Sequence, residues 1–264
     1  MIEKVDKKIE EKIPFVDIVL PNYNKGQFIE EAINSVIFQT YKNWKLYIID
    51  DHSNDNSLEI IKKFSNLKNI NIIKLQKNKG PAFCRNYIIR ISNSKYISFI
   101  DSDDSWINNK LEKQISFMEE KNLTFTYTDY TPFFENNGKK RYKRRTFLKK
   151  YFNYETFVRN SSINTTTMII ARSILGNQRF KKIKLLEDYL FKCKLLKSNN
   201  VAKNLQENLA YYRILNKSRS SQRLKNVYWL WNINKNYNKM GFLNNLISIL
   251  SISINSIKKY GGIK

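Results

Sequence analysis

The sequence predicts an α/β fold, because short apolar runs of strand type alternate with segments whose apolar residues recur at helical spacing. Strands joined through helices lie parallel, and their near-continuous apolar character is typical of a sheet that helices cover on both faces. With 264 residues, of which 42% are hydrophobic, the chain is long enough to bury a sizeable core. This composition excludes wholesale disorder, collagen-like repeats and a disulfide scaffold.

The strands and helices of the first part of the chain follow one another in a regular order. Apolar runs predict strands at Phe15–Pro21, Trp44–Asp50, Ile70–Leu75 and Lys95–Asp101, and helical periodicity predicts helices at Gly26–Thr40, Asn54–Ser65 and Pro81–Ile91. Several of these strands end in polar or acidic residues. Because ligands of such sheets bind outside the carboxyl ends of the strands, this edge is the candidate site.

Beyond Asn108 the alternation is less regular. We predict helices at Asn109–Lys121 and Leu185–Lys197, strands at Thr124–Tyr130, Thr165–Ala171 and Leu209–Ile214, a loop or short helix in the basic stretch Lys139–Lys150, and two helices from Arg219 onward that separate near Gly241. The economical interpretation is one α/β domain over residues 14–216. A charged lead-in over residues 1–13 precedes it, and a basic helical extension over residues 217–264 follows it.

The chain is strongly basic, with 47 Lys and Arg against 23 Asp and Glu and a formal net charge of +24. Such a charge is typical of proteins that bind nucleic acid, an anionic lipid surface or phosphate-bearing substrates. A base-composition bias toward Lys, Asn and Ile explains the excess equally well. The charge is concentrated in the second half, since no Asp or Glu follows Glu207.

The acid-free region after Glu207 also carries aromatic residues and an apolar stripe at helical spacing. The aromatic residues are Tyr228, Trp229 and Trp231, and the stripe runs through Leu246, Leu250 and Ile254. A basic segment of this kind can lie on an anionic membrane surface. The alternative left open is that the stripe packs on the α/β domain or on a second subunit, so a homodimer is also compatible with the sequence.

Targeting and cysteine patterns indicate an intracellular protein. Met1–Lys12 has no apolar core typical of a signal peptide, and no run approaches the ~20 apolar residues that a spanning helix needs. We therefore expect a cytoplasmic location, with a peripheral position on the inner face of the cytoplasmic membrane left open. Cys84 and Cys193 form no CxxC pair, and the single His52 cannot anchor a histidine-rich metal site.

Three acidic sites follow or open predicted elements. They are Asp50-Asp51 after the second strand, Asp101-Ser102-Asp103-Asp104 after the fourth strand, and Glu187-Asp188 at the start of a later helix. Any one of them fits a helix cap. Two carboxylate clusters at the same sheet edge repel each other, however, and a bound cation would offset that repulsion. Carboxylates with no histidine cluster indicate Mg²⁺ or Mn²⁺, with substrate phosphates completing the coordination shell.

The residues around these sites form an ordered set of motifs. In chain order they are Val19-Leu20-Pro21-Asn22-Tyr23-Asn24, Asp50-Asp51-His52-Ser53-Asn54-Asp55, Asn78-Lys79-Gly80-Pro81-Ala82 with Arg85-Asn86, Asp101-Ser102-Asp103-Asp104, and Glu187-Asp188-Tyr189. This set resembles the family 2 glycosyltransferases, inverting enzymes with the GT-A nucleotide-diphosphosugar-binding fold, which is a Rossmann-like mixed sheet. One departure is His52, which stands where the family has Gly and which we interpret as a turn residue.

The resemblance implies a role for each motif. The nucleotide part of the donor would be bound by Pro21, Tyr23, Asn24, Asp50, Asp51, Arg85, Asp101 and Ser102. Asp101 and Asp103 would hold the metal ion, and Asp188 would be the catalytic base. Either Asp50 or Asp51 would contact the nucleotide base, and Arg213 would lie near the diphosphate.

The implied activity is the inverting transfer of one sugar from a nucleotide-diphosphosugar to a hydroxyl of a glycan or lipid-linked acceptor. UDP is the expected nucleotide, Mn²⁺ or Mg²⁺ the expected cofactor, and synthesis of a bacterial surface polysaccharide (capsule, lipooligosaccharide or O-antigen) the expected pathway. We expect non-processive transfer, because the Gln-x-x-Arg-Trp motif of the processive members and their transmembrane helices are not found in the sequence.

Other functions explain fewer of these residues. A catalytically inactive sugar-nucleotide-binding subunit would not need Asp101, Asp103 and Asp188 together. A nucleotidyltransferase would carry a Gly-rich phosphate loop after the first strand, which the sequence lacks. A nucleic-acid-binding protein leaves the ordered carboxylates unexplained, so we expect no nucleic-acid partner.

Overall fold

The computed structural model describes residues 15–136, 138–198, 200–215 and 223–260. The predicted lead-in over residues 1–13 and the predicted boundary between residues 216 and 217 lie outside these ranges. Within them the chain forms one ten-stranded sheet together with eight α-helices. The predicted α/β class, with a mixed sheet and helices at the carboxyl end, is confirmed.

The strands and helices alternate along the first part of the chain. The strands are β1 (Val16–Asn22), β2 (Trp44–Asp50), β3 (Ile70–Lys74), β4 (Tyr96–Phe99), β5 (Ser105–Trp106), β6 (Phe125–Asn136), β7 (Lys139–Tyr142), β8 (Tyr151–Phe152), β9 (Ile169–Ala171) and β10 (Ala202–Arg213). The helices are α1 (Ile29–Ile37), α2 (Ser57–Lys62), α3 (Pro81–Ile91), α4 (Lys110–Glu120), α5 (Tyr154–Phe157), α6 (Glu187–Lys197), α7 (Arg223–Asn236) and α8 (Phe242–Tyr260).

The strand order places a crevice beside β1. The order is β3-β2-β1-β4-β9-β6-β10-β5, and β7 and β8 pair with β6 and β10. Strands β1 to β4 pair in parallel, whereas β9 runs antiparallel to both β4 and β6. Because the chain moves outward from β1 to β3 and then returns to the other side of β1, the loops after β1 and β4 diverge there. Such a switch point is where open α/β sheets bind ligands.

Burial explains why the first elements form as predicted. All side chains of β1 from Val16 to Leu20 are buried, as expected for a strand covered on both faces. Helix α1 buries Ile29, Ala32, Ile33 and Val36, which recur at helical spacing. Only one stripe of this helix is apolar, so it must pack that stripe on the sheet.

Several predicted elements of the less regular part differ from the structure. The strands predicted at Thr124–Tyr130 and Leu209–Ile214 are longer and span Phe125–Asn136 and Ala202–Arg213. Residues Thr165–Thr167 form a 3₁₀ helix, and the strand covers only Ile169–Ala171. The Asn164 side chain accepts a hydrogen bond from the Thr166 N–H, which caps this turn and competes with an extended backbone. In the basic stretch, Lys139–Tyr142 is a strand because it pairs antiparallel with β6.

Helices α7 and α8 pack on the sheet domain. Leu230, Ile233 and Ile249 belong to the same buried core as the strands. The Ser248 hydroxyl donates to the Val158 carbonyl and accepts a hydrogen bond from the Asn234 side chain. Across the described ranges, no helix combines the length and the apolar character that crossing a membrane requires.

Candidate active site

A cleft of about 960 Å³ opens at the carboxyl ends of β1, β2 and β4. It brings together residues from the loop after β1, the start of α3, the acidic loop after β4 and the start of α6. The predicted site residues that line it are Pro21, Tyr23, Asp51, Arg85, Asp101, Ser102, Asp103 and Asp188. Asn24 and Asp50 are not among its lining residues.

The paired aspartates after β2 have different surroundings. Asp50 is fully buried and accepts hydrogen bonds from the Asn22 amide at 2.9 Å and the Ser53 N–H at 3.1 Å. Asp51 reaches the cleft, where it accepts the N–H groups of Lys79 and Gly80 at 2.7 Å each. Asp50 therefore shapes the loop after β1, and Asp51 is the member of the pair that faces the cleft.

The loops that carry Asn24 and His52 are fastened to each other. The Asn24 N–H donates to the Ser53 hydroxyl at 3.0 Å, and the Asn54 N–H donates to the Asn24 side chain at 2.8 Å. Asn24 and His52 both have left-handed backbones, with φ of 51° and 64°. A left-handed conformation is one that glycine adopts without steric cost, so the exposed His52 occupies a position that favours Gly.

In the acidic loop after β4, Asp104 has a structural position. It is 1% exposed and accepts the Thr166 hydroxyl at 2.5 Å and the Arg213 N–H at 3.0 Å. The Asp104 N–H in turn donates to the Asp101 carbonyl at 3.0 Å. These bonds fix the turn that presents Asp101 and Asp103 to the cleft.

Asp101 and Asp103 each pair with a cation. The Arg85 guanidinium lies 2.7 Å from Asp101 Oδ1, and the Lys25 ammonium lies 2.7 Å from Asp103 Oδ2. Burial raises the pKa of Asp103 and the nearby Asp101 charge adds to the increase, while Lys25 opposes it. The loop is thus a concentration of negative charge that a cation stabilises.

These two carboxylates fit a divalent ion, with phosphate oxygens of the substrate as its remaining ligands. Their side chains remain 33% and 20% exposed on the cleft side, so both keep oxygens accessible. In the described ranges, no cluster of three or more His, Cys, Asp and Glu side chains is placed to hold a metal ion. A site with few protein ligands and several phosphate or water oxygens is typical of Mg²⁺.

Asp188 lies in the first turn of α6 and lines the cleft. Its Oδ2 accepts the Lys192 ammonium at 2.8 Å and the Thr165 hydroxyl at 3.2 Å. Burial by itself raises the pKa of Asp188, but Lys192 and the nearby Arg85 outweigh this effect and hold the pKa well below its usual range. Asp188 is therefore a carboxylate at any physiological pH.

Leu186 holds α6 in place at a conformational cost. Its φ of 63° is left-handed, which non-glycine residues adopt at roughly 1–2 kcal/mol. Strain of this kind concentrates at functional sites, where the surrounding packing maintains it. Here the turn directs Glu187 and Asp188 toward the cleft.

Arg85 connects the two acidic sites across the cleft. Its side chain is 6% exposed, and it bonds Asp101 on one side and Glu187, at 3.4 Å, on the other. The guanidinium also packs over the Phe180 ring at 5.3 Å from the centroid. Arg85 therefore sets the distance between the acidic loop and the start of α6.

Arg213 is committed to protein contacts. Its guanidinium lies between the rings of Phe28 and Phe133, at 4.4 and 4.5 Å from their centroids. It pairs with Glu31 at 2.6 Å and with Glu135, and its Nε donates to the Asp103 carbonyl at 2.9 Å. Two glutamates balance its charge, so its evident role is to fix the acidic loop.

Two cations of the site, Lys25 and Lys192, were missed from the sequence. Lys25 is 78 positions from Asp103, and no local pattern indicates their pairing. Lys192 had a usable signal, because it follows Asp188 by four residues on a helix and such residues are neighbours on one face. The Lys192 side chain is only 1% exposed. A buried lysine among apolar residues of a helix is not expected from the sequence, so this signal was not used.

The chain matches the family model of glycosyl transferase family 2 over residues 17–182. It is 29% identical over 253 residues to TuaG, a Bacillus subtilis (strain 168) protein assigned by name to teichuronic acid biosynthesis, with 93% of this chain and 97% of that protein covered. It is 33% identical over 219 residues to the Escherichia coli UDP-Glc:alpha-D-GlcNAc-diphosphoundecaprenol beta-1,3-glucosyltransferase WfgD, with 83% and 84% covered.

Solved structures share the architecture. S. aureus TarS 1–349 in complex with UDP-GlcNAc gives a TM-score of 0.70 at 19% identity and covers 92% of this chain and 73% of its own. Mannosyltransferase PcManGT from Pyrobaculum calidifontis, in complex with GDP-Man and Mn²⁺, gives 0.67 at 12% identity, with 96% and 77% covered. At these identities the likeness shows the fold alone, which is of GT-A type.

The family match extends over more than half of the chain and includes the loops after β1, β2 and β4 that form the cleft. The relatives extend the likeness over most of the chain. The chain belongs to glycosyltransferase family 2.

Proposed function

We propose that this protein is an inverting, non-processive glycosyltransferase that moves one sugar from a UDP-sugar to a hydroxyl of a lipid-linked acceptor. The observation that carries the proposal is the placement of Asp188 and the Asp101–Asp103 pair in one cleft, connected through Arg85 and Glu187. A base on one side of a bound sugar and a cation site on the other are the groups that direct displacement at C1 requires.

Asp188 is the proposed base. Its Oδ2 accepts hydrogen bonds from Lys192 and Thr165, and we infer that Oδ1 accepts the proton of the acceptor hydroxyl. The low pKa makes Asp188 a weak base that is always ionised, and proton transfer is then favoured only as the new bond to C1 forms. Attack from the side opposite the nucleotide inverts the anomeric carbon without a covalent sugar intermediate.

Asp101 and Asp103 are the proposed ligands of Mn²⁺ or Mg²⁺. When bound, a divalent ion supplies positive charge that stabilises the departing nucleoside diphosphate. Lys25 and Arg85, now paired with these carboxylates, lie beside the same position and can hold phosphate oxygens. Asp51 is the proposed contact to the nucleotide base, and Pro21, Tyr23 and Ser102 line the same part of the cleft.

The names of relatives support the substrate classes. A relative acts on UDP-Glc and a diphosphoundecaprenol-linked sugar, and another is assigned to teichuronic acid biosynthesis. We therefore assign the chain to surface polysaccharide synthesis, with a UDP-sugar donor and a lipid-linked acceptor at the cytoplasmic face of the membrane.

The test is UDP release by the purified protein from a panel of UDP-sugars, with and without Mn²⁺ and a diphosphate-linked lipid acceptor. We expect release that requires both the metal and the acceptor. Calorimetry should show that Asp103→Ala weakens UDP binding in Mn²⁺, whereas Glu59→Ala, an exposed acid of α2, leaves it unchanged. Equal UDP affinity with and without Mn²⁺ in the unmodified protein would contradict the metal role.

A further inference from the structure

Helix α8 carries a continuous apolar stripe that faces solvent. Its members recur at helical spacing and are between 40% and 71% exposed; they are Leu243, Leu246, Ile247, Leu250, Ile254 and Ile257. Monomeric soluble proteins rarely expose a contiguous apolar surface of this kind without a partner. The stripe therefore does not pack on the α/β domain, which was one of the two alternatives compatible with the sequence.

The opposite side of α8 packs against the rest of the protein and lines the cleft. Asn245, Ser248 and Ile249 are buried, while Ile252 and Lys259 line the proposed active-site cleft. One helix thus forms a wall of the cleft with one side and an exposed apolar surface with the other. Anything that binds the stripe is separated from the cleft by the width of one helix, about 10 Å.

The apolar surface continues onto α7. The Trp231 ring contacts the Phe242 ring edge-on at 5.5 Å between centroids, which connects the start of the α8 stripe to α7. Leu224, Val227 and Tyr228 form an exposed row on α7 at the same helical spacing, and Leu224 is 88% exposed. Two adjacent helices therefore offer apolar side chains to one partner.

The rim of this surface is basic. Lys258 lies beside Ile254 and Ile257 on the helix. A groove of about 470 Å³ next to Ile254 is lined by two basic residues, Lys149 and Arg159, and by one acid, Glu155. No Asp or Glu occurs in α7 or α8. A second copy of this chain seated on the stripe would bring like charges together, whereas an anionic surface would be attracted.

We propose that the outer face of α8, with the exposed row of α7, docks on an anionic lipid bilayer. The apolar side chains enter the boundary between headgroups and acyl chains, and the basic rim contacts the lipid phosphates. The arrangement sets the mouth of the cleft at the membrane surface. The link to catalysis rests on the proposed lipid-linked acceptor, but docking itself does not require it.

Co-sedimentation of the full chain with vesicles tests the proposal. We expect binding to vesicles that contain phosphatidylglycerol and much weaker binding to pure phosphatidylcholine. Salt on the order of 0.5 M should release most of the protein, because it shortens the Debye length to roughly 4 Å. The double variant Leu250→Glu, Ile254→Glu should lose at least about tenfold in vesicle affinity, since two charges then enter the apolar boundary.

The matched control is Leu67→Glu, Ile91→Glu, which alters a similarly exposed Leu and Ile elsewhere on the surface and should bind vesicles like the unmodified protein. Calorimetry with UDP shows whether each variant remains folded, and a failure of UDP binding in the unmodified protein would count against the proposed function without affecting docking. No sedimentation with anionic vesicles at low salt would overturn the proposal. So would a dimer in sedimentation analysis that the Leu250→Glu, Ile254→Glu variant abolishes, because the stripe would then be a subunit interface.

Discussion

The acidic residues after β2 and those at the transfer end of the cleft are held by different kinds of partner. Asp50 and Asp51 accept hydrogen bonds from neutral donors, three of them backbone N–H groups. Asp101 and Asp188 pair with Arg85 and Lys192, which carry full charges. Both arrangements satisfy the carboxylate oxygens, but only the second alters the balance of charge.

The residues after β2, which we call the framework region, mainly hold the loops in place. The residues at Asp101 and Asp188, which we call the transfer region, carry the proposed reaction. Neutral donors fix the position of a carboxylate and shape the loops around it. A charged partner also sets the protonation state of the carboxylate. When substrate enters, that partner can release the carboxylate and bind a substrate phosphate instead. On this comparison, substitutions after β2 should act on stability and, at Asp51, also on nucleotide binding. Substitutions at α6 should act mainly on turnover and its pH dependence.

The largest expected effect is that of Asp188→Asn. The variant keeps the shape of the side chain but removes its basicity, so sugar transfer should fall by at least the ~10²-fold typical of a lost general base. UDP binding measured by calorimetry should be retained. Turnover close to that of the unmodified protein would assign the base to another residue and remove the contrast between the two regions.

Lys192→Met should change the pH profile. Without the ammonium, the lowering by Lys192 is lost while burial still raises the pKa of Asp188. The pKa therefore rises, and the ionised base is lost as pH falls through that higher value. The acidic limb of kcat/KM should therefore move to higher pH, with activity near pH 5 falling more than activity near pH 8. Lys194→Met, on the same helix, is the control and should leave the profile unchanged.

Asp51→Asn should lower stability in addition to weakening the proposed contact to the nucleotide base. An amide can accept only one of the two N–H groups that Asp51 now accepts, so the free energy of unfolding should fall by about 1–3 kcal/mol. Urea denaturation measures the change. Glu59→Gln, at an exposed position, should stay within about 0.5 kcal/mol of the unmodified protein.

His52→Gly should give the smallest change, and in the opposite direction. Glycine relieves the left-handed backbone at this position but gains freedom in the unfolded chain, so we expect a net increase of about 0.5–1 kcal/mol in unfolding free energy. His52→Ala keeps the steric cost and should give no such increase. A loss of stability in the glycine variant would indicate a contact of the imidazole that the backbone argument omits.

The framework region was largely predictable from the sequence, because its strands have signals in the local sequence. Buried parallel strands such as β1 and β2 are continuous apolar runs, and their ends are marked by the residues that form the cleft. The periodicity of α8 predicted its stripe equally well. Periodicity does not indicate whether the stripe is buried or exposed to solvent, because both give the same pattern.

The transfer region was less predictable because its contacts join distant parts of the chain. The 3₁₀ turn at Thr165–Thr167 depends on a side-chain cap that competes with strand formation at β-branched residues. The pairing of Lys25 with Asp103 depends on the sheet order that brings the loops after β1 and β4 together. The cap at Asn164 is a local signal that the β-branched run Thr165–Thr167 opposes, whereas the pairing of Lys25 with Asp103 has no short-range signal.

The contacts of Arg213 affect the order in which the molecule becomes competent during synthesis. Arg213 fixes the acidic loop through the Asp103 carbonyl and Asp104, and it reaches Glu31 across 182 positions of chain. Such long-range contacts form late, because the entropy of closing the intervening loop must be offset first. A nascent chain that has emerged only through the family-matched residues 17–182 contains the acidic loop but not its fastening or Asp188. The strands of the switch point can pair before then, but we expect the cleft to be complete only after β10 has joined the sheet.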